Sequence, residues 1–179
     1  ELAGKADRDG RPILFLPHLE GERAPLWDAD IRGSFIGLDS RTSGPEFALA
    51  VLEGVALSAR QLFNALTEAA GYRPDWLLYG GGGARSDLWS QIRADCLGVA
   101  LHRFSYNDVG CLGAGIMAAV GVGAFPTIAE AVPAMTSVQT IFEPDPKRAQ
   151  RYDRMFEAYT KAIDALKPIG IIETGDPLR

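Results

Sequence analysis

A strand, a glycine loop and a helix follow one another directly within residues 75–98, and this stretch constrains the fold more than any other part of the chain. Residues 76–79, WLLY, are almost wholly apolar, which predicts a short strand covered on both faces. Residues 80–83 are consecutive glycines, which remove every side chain from the turn and permit positive φ. The stretch therefore predicts a bare backbone turn that another surface, such as a flat ligand, can approach closely.

The helix after the glycines has recognisable ends. Ser86 is a predicted N-cap and Gly98 a predicted stop, and Leu88, Ile92 and Cys96 recur between them at helical spacing. The unpaired amides at the start of such a helix favour anions. Close packing of the strand against the helix explains the glycines equally well. The run also lacks the G-K-[ST] ending and the G-x-G-x-x-G register of the common phosphate-binding loops.

Length and composition indicate one globular domain. The chain has 179 residues, of which 47% are hydrophobic and 23% charged. Its net charge of −5 argues against a nucleic-acid-binding surface, because phosphate neutralisation needs clustered basic residues. No apolar run reaches the roughly 18 to 20 residues of a membrane span, and no signal peptide is recognisable, so no membrane partner is expected. Cys96 and Cys111 are expected to be reduced core thiols in a cytoplasmic protein, with a disulfide or a metal site as the alternative.

Two strand candidates, residues 13–17 and 34–38, are joined by a long polar loop. Residues 1–12 before them show no element beyond a frayed helix end. Charged and aromatic residues crowd the loop, and we interpret them as an internally salt-bridged turn, with a substrate-facing surface as the alternative. These residues are Glu22, Arg23, Trp27, Asp28, Asp30 and Arg32.

The first long helix is predicted to start at a capping box formed by Ser43 and Glu46, with Pro45 in its first turn, and to stop at Gly71. Its interior Gly54 costs about 1 kcal/mol relative to alanine, which indicates a close neighbour or a ligand at that position. Apolar residues at intervals of four and three predict its packed face. They are Ala48, Leu52, Val55, Ala59, Leu62, Leu66 and Ala69.

Further elements follow the glycine loop. Residues 99–104 predict a second strand, and Asn107 or Asp108 caps a helix rich in glycine and alanine that we expect to be buried against the sheet. Residues 140–147 predict a proline-bearing loop. The terminal amphipathic helix places a stripe of large side chains in the core. They are Tyr152, Phe156, Tyr159, Ile163 and Leu166.

Strands that alternate with helices predict an α/β layer structure, in which ligands bind beyond the carboxyl ends of strands. This again directs attention to residues 80–87. His18 and His102 are 84 residues apart and lack a nearby cysteine or an acidic cluster at ligand spacing, so no zinc or other metal site is predicted. A G-x-S-x-G nucleophile motif is absent. The residue chemistry alone therefore indicates binding rather than catalysis.

Four motifs in order along the chain resemble those of the FGGY carbohydrate kinases. Residues 33–53 resemble the family's second signature, with the sequence GSFIGLDSRTSGPEFALAVLE. Residues 19–33, LEGERAPLWDADIRG, are similar to a stretch of the members that act on xylulose and gluconate. Residues 81–101 and 108–125 resemble the family's adenine-side loop and helix and its following helix. The resemblance covers nearly the whole chain.

This resemblance implies an actin- or hexokinase-type fold, in which two ribonuclease H-like α/β domains hold ATP and sugar in the cleft between them. Residues 13–168 would form the carboxyl-terminal, nucleotide-side domain, whose mixed sheet is flanked by helices. Residues 1–12 would be a truncated lead-in and residues 169–179 a loose tail. The expected partner is an amino-terminal kinase domain that precedes this chain, and a homodimer is compatible with the resemblance.

The resemblance also implies a nucleotide site. Gly82, Gly83 and Ala84 would lie along the nucleotide, and Asp87 would lie near the adenine or the ribose. Several relatives have asparagine at the position of Asp87, and an aspartate can accept hydrogen bonds there but cannot donate them. The implied ligands are ATP with Mg²⁺ and a small sugar, xylulose before gluconate, with glycerol and ribulose behind them.

No catalytic or metal-binding residue is expected in this chain, because the catalytic aspartate and the phosphate loop of such kinases belong to the preceding domain. Phosphoryl transfer requires positioning and electrostatic stabilisation from both sides of the transferred group. The resemblance therefore implies that the fragment alone is inactive. An alternative of another class is a non-catalytic interaction or regulatory module that keeps the fold.

Overall fold

Strands and helices alternate along most of the chain, and the computed structural model describes residues 1–106 and 108–166. The strands are β1 (Leu14–Leu16), β2 (Ser34–Ile36), β3 (Trp76–Tyr79), β4 (Ala100–Phe104) and β5 (Val138–Phe142). The helices are α1 (Gly44–Ala70), α2 (Asp87–Leu97), α3 (Val109–Gly121), α4 (Ile128–Met135) and α5 (Pro146–Leu166). Short 3₁₀ turns lie at Ala3–Lys5 and Gly82–Arg85. The tail predicted for residues 169–179 lies outside the described residues.

Two sheets form among the described residues. Strands β1 and β2, which the sequence predicts as a pair joined by a long loop, are antiparallel. The second sheet has the order β3-β4-β5, with β3 parallel and β5 antiparallel to β4, so it is mixed. The prediction of a loop over residues 140–147 is wrong for its first part, which belongs to β5. Thr140, Ile141 and Phe142 favour a strand, and the prolines only follow it.

Helices α1 and α2 cover one face of the three-stranded sheet. Leu77, Leu101 and Phe142 lie side by side across the strands and pack with Phe63 of α1 and Leu97 of α2. A larger core fills the space between β1, α1, α2 and α5. Its fully buried members include Leu16, Leu57, Ile92, Tyr152, Tyr159 and Ile163, which confirms the predicted core stripe of the terminal helix.

The opposite face of the same sheet is open in the part of the chain that the structure describes. Trp76, Leu78 and Ile141 are each about half exposed, at 49%, 50% and 50%. Trp76 stacks on the His102 ring with centroids 4.6 Å apart, which is a contact within this face. The prediction that residues 76–79 are covered on both faces is therefore wrong, because an apolar sequence does not supply its own packing partner.

Helix α3 was expected to be buried against the sheet, and this prediction is also wrong. Ile116 is its buried residue, and the helix packs chiefly against α4. A Cβ added at Gly113 or Gly115 would meet nothing within 4 Å. Small residues permit close approach, but no described element presses against this side of α3. The predicted cap at Asp108 is confirmed, since its side chain accepts from the Cys111 amide at 2.9 Å; Asn107 lies outside the described residues.

Both predicted ends of α1 are confirmed. The Glu46 carboxylate accepts from the amide and the hydroxyl of Ser43 at 2.7 and 2.8 Å, and Gly71 closes the helix in the left-handed conformation. Its predicted packed face is wrong in the carboxyl-terminal half, where Leu62 and Leu66 are exposed. The helix buries instead the residues that meet β1 and α2. They include Leu49, Ala50, Glu53, Gly54, Leu57 and Phe63.

The lead-in segment is fixed to α2 by a buried ion pair. Arg8 donates to Asp95 at 2.9 Å, and the Asp95 side chain is fully buried. The side-chain amide of Gln91 and the backbone amide of Asp145 donate to the other carboxylate oxygen at 2.8 and 2.9 Å. Each oxygen of the buried Asp95 carboxylate therefore has a hydrogen-bond partner, as a buried charge requires. Since these partners lie in residues 1–12, in α2 and just before α5, the network connects the three segments.

Candidate functional site

The glycine loop connects β3 to α2 at the carboxyl end of the strand. A Cβ at Gly80 would collide with Val109 of α3, so this glycine serves close packing. Gly81 has φ of 91°, a conformation that favours glycine, and Gly82 begins the 3₁₀ turn. A Cβ at Gly81 or Gly82 would meet nothing within 4 Å. The packing interpretation therefore holds at the first glycine, whereas the next two present open backbone.

Aromatic rings support the end of the loop. A Cβ at Gly83 would lie 3.1 Å from the Trp89 ring and 3.6 Å from the Tyr79 hydroxyl. That hydroxyl is buried and has no hydrogen-bond partner among the described residues. Ala84 is buried; its amide donates to the Gly81 carbonyl at 3.1 Å, and its carbonyl accepts from Arg103 at 2.9 Å. The four predicted nucleotide residues thus differ, with Gly82 exposed, Gly83 half-buried, Ala84 covered and Asp87 exposed.

The start of α2 is capped as predicted. The Ser86 hydroxyl accepts from the Trp89 amide at 3.3 Å, and Gly98 ends the helix in the left-handed conformation. Trp89 is itself anchored, because its indole nitrogen donates to the Leu52 carbonyl of α1 at 3.2 Å. These contacts fix the direction of the helix relative to the open backbone of the loop.

Asp87 pairs with Arg103, a residue that the sequence interpretation missed. One carboxylate oxygen of Asp87 accepts from Arg103 at 2.6 Å, while 76% of the Asp87 side chain remains exposed. The same guanidinium donates to the Ala84 carbonyl at 2.9 Å and to the Thr140 hydroxyl at 3.1 Å. The sequence signal for it is weak, an arginine that follows the apolar Ala100 and Leu101 within a short strand.

A cavity lies at the start of α3. It has a volume of about 530 Å³ and lies between α3, α4 and the segment before α3. None of the predicted nucleotide residues lines it. Its lining residues are Tyr106, Asp108, Cys111, Leu112, Gly115 and Met135. The hydrogen bonds from Cys111 hold the pKa of the Asp108 carboxyl below its ordinary value.

Both cysteines are free thiols, but the prediction that both lie in the core is wrong for Cys111, which is exposed because α3 is not covered on that side by the described residues. Cys96 is buried in the core, and burial raises the pKa of its thiol to about 12.

Among the residues that the structure describes, no group of three or more histidine, cysteine or acidic side chains is placed to hold a metal ion. A search of the same residues finds no helix with the length and apolarity needed to cross a membrane.

The polar loop between β1 and β2 is held by bonds to its own backbone. Asp28 accepts from the amides of Asp30 and Ile31 at 2.9 and 3.1 Å, and Arg32 donates to carbonyl oxygens of the same loop. These bonds support the interpretation as an internal turn. The Glu22 carboxylate adds a side-chain contact with the His18 ring at 2.8 Å, whereas the bonds of Asp28 and Arg32 named here run to backbone atoms. Trp27 differs from these residues, because its side chain is 79% exposed and its backbone has a φ of 50°.

The comparisons with known proteins agree with this architecture. The profile of the FGGY family of carbohydrate kinases, C-terminal domain, matches residues 1–122. A xylulose kinase of Staphylococcus epidermidis is 36% identical over 158 residues, which cover 88% of this chain and 32% of that protein.

Solved structures give the same result. A ligand-bound xylulose kinase from Lactobacillus acidophilus has a TM-score of 0.80 at 32% identity, over 93% of this chain and 34% of that one. A gluconate kinase from the same organism has a TM-score of 0.78 at 32% identity, over 92% and 33%. The predicted α/β fold of the ribonuclease H-like, actin and hexokinase type is therefore confirmed. The chain spans about a third of the length of these relatives, and it belongs to the FGGY family of carbohydrate kinases, within the C-terminal domain.

Proposed function

We propose that this chain is the nucleotide-binding part of an ATP-dependent sugar kinase. The observation that carries the proposal is the open backbone at Gly81 and Gly82, which lies at the carboxyl end of β3 and directly before α2. Ligands of α/β sheets bind at such positions. Gly82, Gly83 and Ala84 would border the nucleotide through their backbone, and the Asp87 carboxylate would accept from the adenine amino group or a ribose hydroxyl.

The geometry suits the nucleoside end of ATP better than its phosphates. An exposed carboxylate accepts hydrogen bonds from neutral donors but repels phosphate oxygens. ATP with its Mg²⁺ is the phosphoryl-donor substrate, and transfer requires groups that position the γ-phosphate and activate the sugar hydroxyl. We assign those groups to an amino-terminal domain that acts with this chain in the cytoplasm. Two free cysteines are typical of that compartment.

Xylulose is the first sugar that we propose for the complete kinase. The relatives named as xylulose kinases support this choice, and the gluconate kinase of similar structure makes gluconate the second. The test is a phosphorylation assay of the full-length protein with xylulose, gluconate, glycerol and ribulose. The 179-residue chain alone is expected to phosphorylate none of them, and turnover by the isolated chain would contradict the assignment of the catalytic groups to another domain.

Binding by the chain itself is tested by an amide-resolved NMR titration with ADP. We expect saturable shifts at residues 80–87 and little change in α5. The variant Gly82→Val places its Cβ where no other described residue beyond the chain neighbours lies within 4 Å, so it should keep the fold and abolish the response. Gly121→Val is the matched control, because its added Cβ also meets nothing and it lies at the far end of α3.

The outcomes separate the two classes of function. Localised shifts that Gly82→Val removes and Gly121→Val leaves in place support a nucleotide site. Unchanged amides in the wild-type chain would contradict the proposal for this chain and favour the interaction module. Shifts that persist in Gly82→Val would mean that ADP binds elsewhere on the surface.

A further inference from the structure

One guanidinium joins three parts of the molecule around the glycine loop. Arg103 of β4 contacts the Ala84 carbonyl, which lies within the 3₁₀ turn, and the Asp87 carboxylate, which begins α2. Its other terminal nitrogen reaches the Thr140 hydroxyl on β5. The guanidinium lies 5.1 Å from the centre of the Phe142 ring, and 15% of the side chain is exposed. The charge is therefore built into the protein rather than solvated at its surface.

We propose that Arg103 is a positioning residue that compensates the charge of Asp87 and fixes this carboxylate for nucleotide binding. The inference rests on the proposed function, because it assigns Arg103 a role at the same site. Arg103 itself need not touch the nucleotide. It acts through Asp87 and through the carbonyl of Ala84, which sets the path of the loop.

The electrostatic argument follows from the charge of the ligand. ADP carries several negative charges, and an uncompensated carboxylate beside it would repel them. The 2.6 Å contact with Arg103 offsets that repulsion and leaves most of the Asp87 side chain accessible to a hydrogen-bond donor. An asparagine at residue 87 would carry no charge and would need no such partner.

The shape of the side chain matters as well as its charge. A guanidinium is a planar fork whose nitrogens reach separate acceptors at once, as they do here with a carbonyl, a carboxylate and a hydroxyl. A lysine is a point charge on a flexible stem. Arg103→Lys would retain the compensation of Asp87 and lose part of the loop's support.

A double-mutant cycle distinguishes charge compensation from a merely structural role. ADP affinity is measured by NMR titration of the wild-type chain, Arg103→Met, Asp87→Asn and the double variant. We expect Arg103→Met to weaken binding about tenfold and Asp87→Asn alone to weaken it less than about threefold, within the usual range of coupled neighbours. Asp87→Asn should then restore at least half of the loss, on a logarithmic scale, in the Arg103→Met background.

Salt supplies the second readout. Raising the salt concentration screens the repulsion between Asp87 and ADP, so affinity relative to wild type should recover in Arg103→Met and stay unchanged in the double variant. Arg103→Lys should bind more tightly than Arg103→Met. It is the variant to use if Arg103→Met loses the amide spectrum of the folded chain.

Each outcome has a definite meaning. Additive effects with no recovery in salt would overturn the inference and leave Arg103 a structural residue. In that case ADP would still shift residues 80–87 of the wild-type chain, and the proposed function would stand. No ADP response in the wild-type chain would instead overturn the proposed function, and the inference with it.

Discussion

The two faces of the three-stranded sheet carry similar side chains but have different surroundings. On one face Leu77, Leu101 and Phe142 pack under α1 and α2. On the other face, Trp76 and Leu78 of β3 are half exposed. The two faces therefore differ in exposure because helices cover only one of them, and not because their residue types differ. An exposed apolar patch of this kind is typical of a surface that another protein segment covers, which agrees with the proposal of a kinase that needs a further domain.

The glycines of the two apolar helices differ in the same way. Gly54 of α1 lies against β1, and a Cβ there would collide with the Phe15 carbonyl oxygen. Gly113 of α3 faces no described atom within 4 Å. The close neighbour predicted for Gly54 is confirmed, whereas the same argument applied to α3 fails. A glycine in a helix therefore indicates a contact only where a second element is present to make it.

The largest expected effect comes from truncating matched leucines on the two faces of the sheet. Leu101→Ala should lower the free energy of unfolding by about 2 to 5 kcal/mol, because it empties a buried site under the helices. Leu78→Ala, on the neighbouring strand and the open face, should cost less than about 1 kcal/mol. Urea denaturation at a constant m-value measures both. Equal losses would show that the open face is packed in solution.

Local signals in the sequence predicted the ends of elements well. The capping box at Ser43 and the stops at Gly71 and Gly98 are confirmed, because each depends on residues within one or two turns. Which side of α1 is buried could not be predicted from its apolar spacing, since β1 and α2 decide it from outside the helix. Strand β5 was missed because the prolines after it suggested a loop.

In the candidate site, too, local features were predictable from the sequence and long-range contacts were not. The sequence located the glycine loop, but four identical residues cannot reveal that Gly80 packs against Val109 while Gly82 lies open. Arg103 was missed because its partners lie 16, 19 and 37 residues away in the chain. Interactions over such separations are set by strand order, which no single stretch of sequence contains.

Alanine substitutions at Gly54 and Gly113 are expected to change the stability by smaller amounts, and in opposite directions. Gly54→Ala should destabilise the chain by about 1 to 3 kcal/mol, because the collision is with a backbone atom that has little room to move. Gly113→Ala should stabilise it by about 0.5 to 1 kcal/mol, because alanine is the better helix former and the space is free. Thermal unfolding followed by circular dichroism measures both. A loss in Gly113→Ala would mean that α3 makes a close contact on that side.

The smallest effect concerns two glutamates of α1, one on the covered side and one at the exposed start. Glu53 is buried and accepts from the Tyr152 hydroxyl at 2.9 Å, and burial raises the pKa of its carboxyl above the ordinary 4.5. The stabilising contribution of protonated Glu53 is therefore present below pH 4.5 and is lost as the pH rises through the raised pKa. Glutamine stays neutral and still accepts from Tyr152. We expect Glu53→Gln to gain about 0.5 to 1 kcal/mol at pH 7 and to lose this advantage in acid.

Glu46 provides the control with the opposite sign. The hydrogen bonds from the amide and the hydroxyl of Ser43 lower the pKa of its carboxyl. Its contribution is therefore present above pH 4.5 and is lost as the pH falls through the lowered value. Glu46→Gln should destabilise the chain at pH 7, and the difference should shrink in acid. Urea denaturation of both variants and the wild type between pH 3 and pH 7.5 tests the pair. If the difference in the free energy of unfolding from wild type changes with pH in the same direction for both variants, the burial of Glu53 is contradicted.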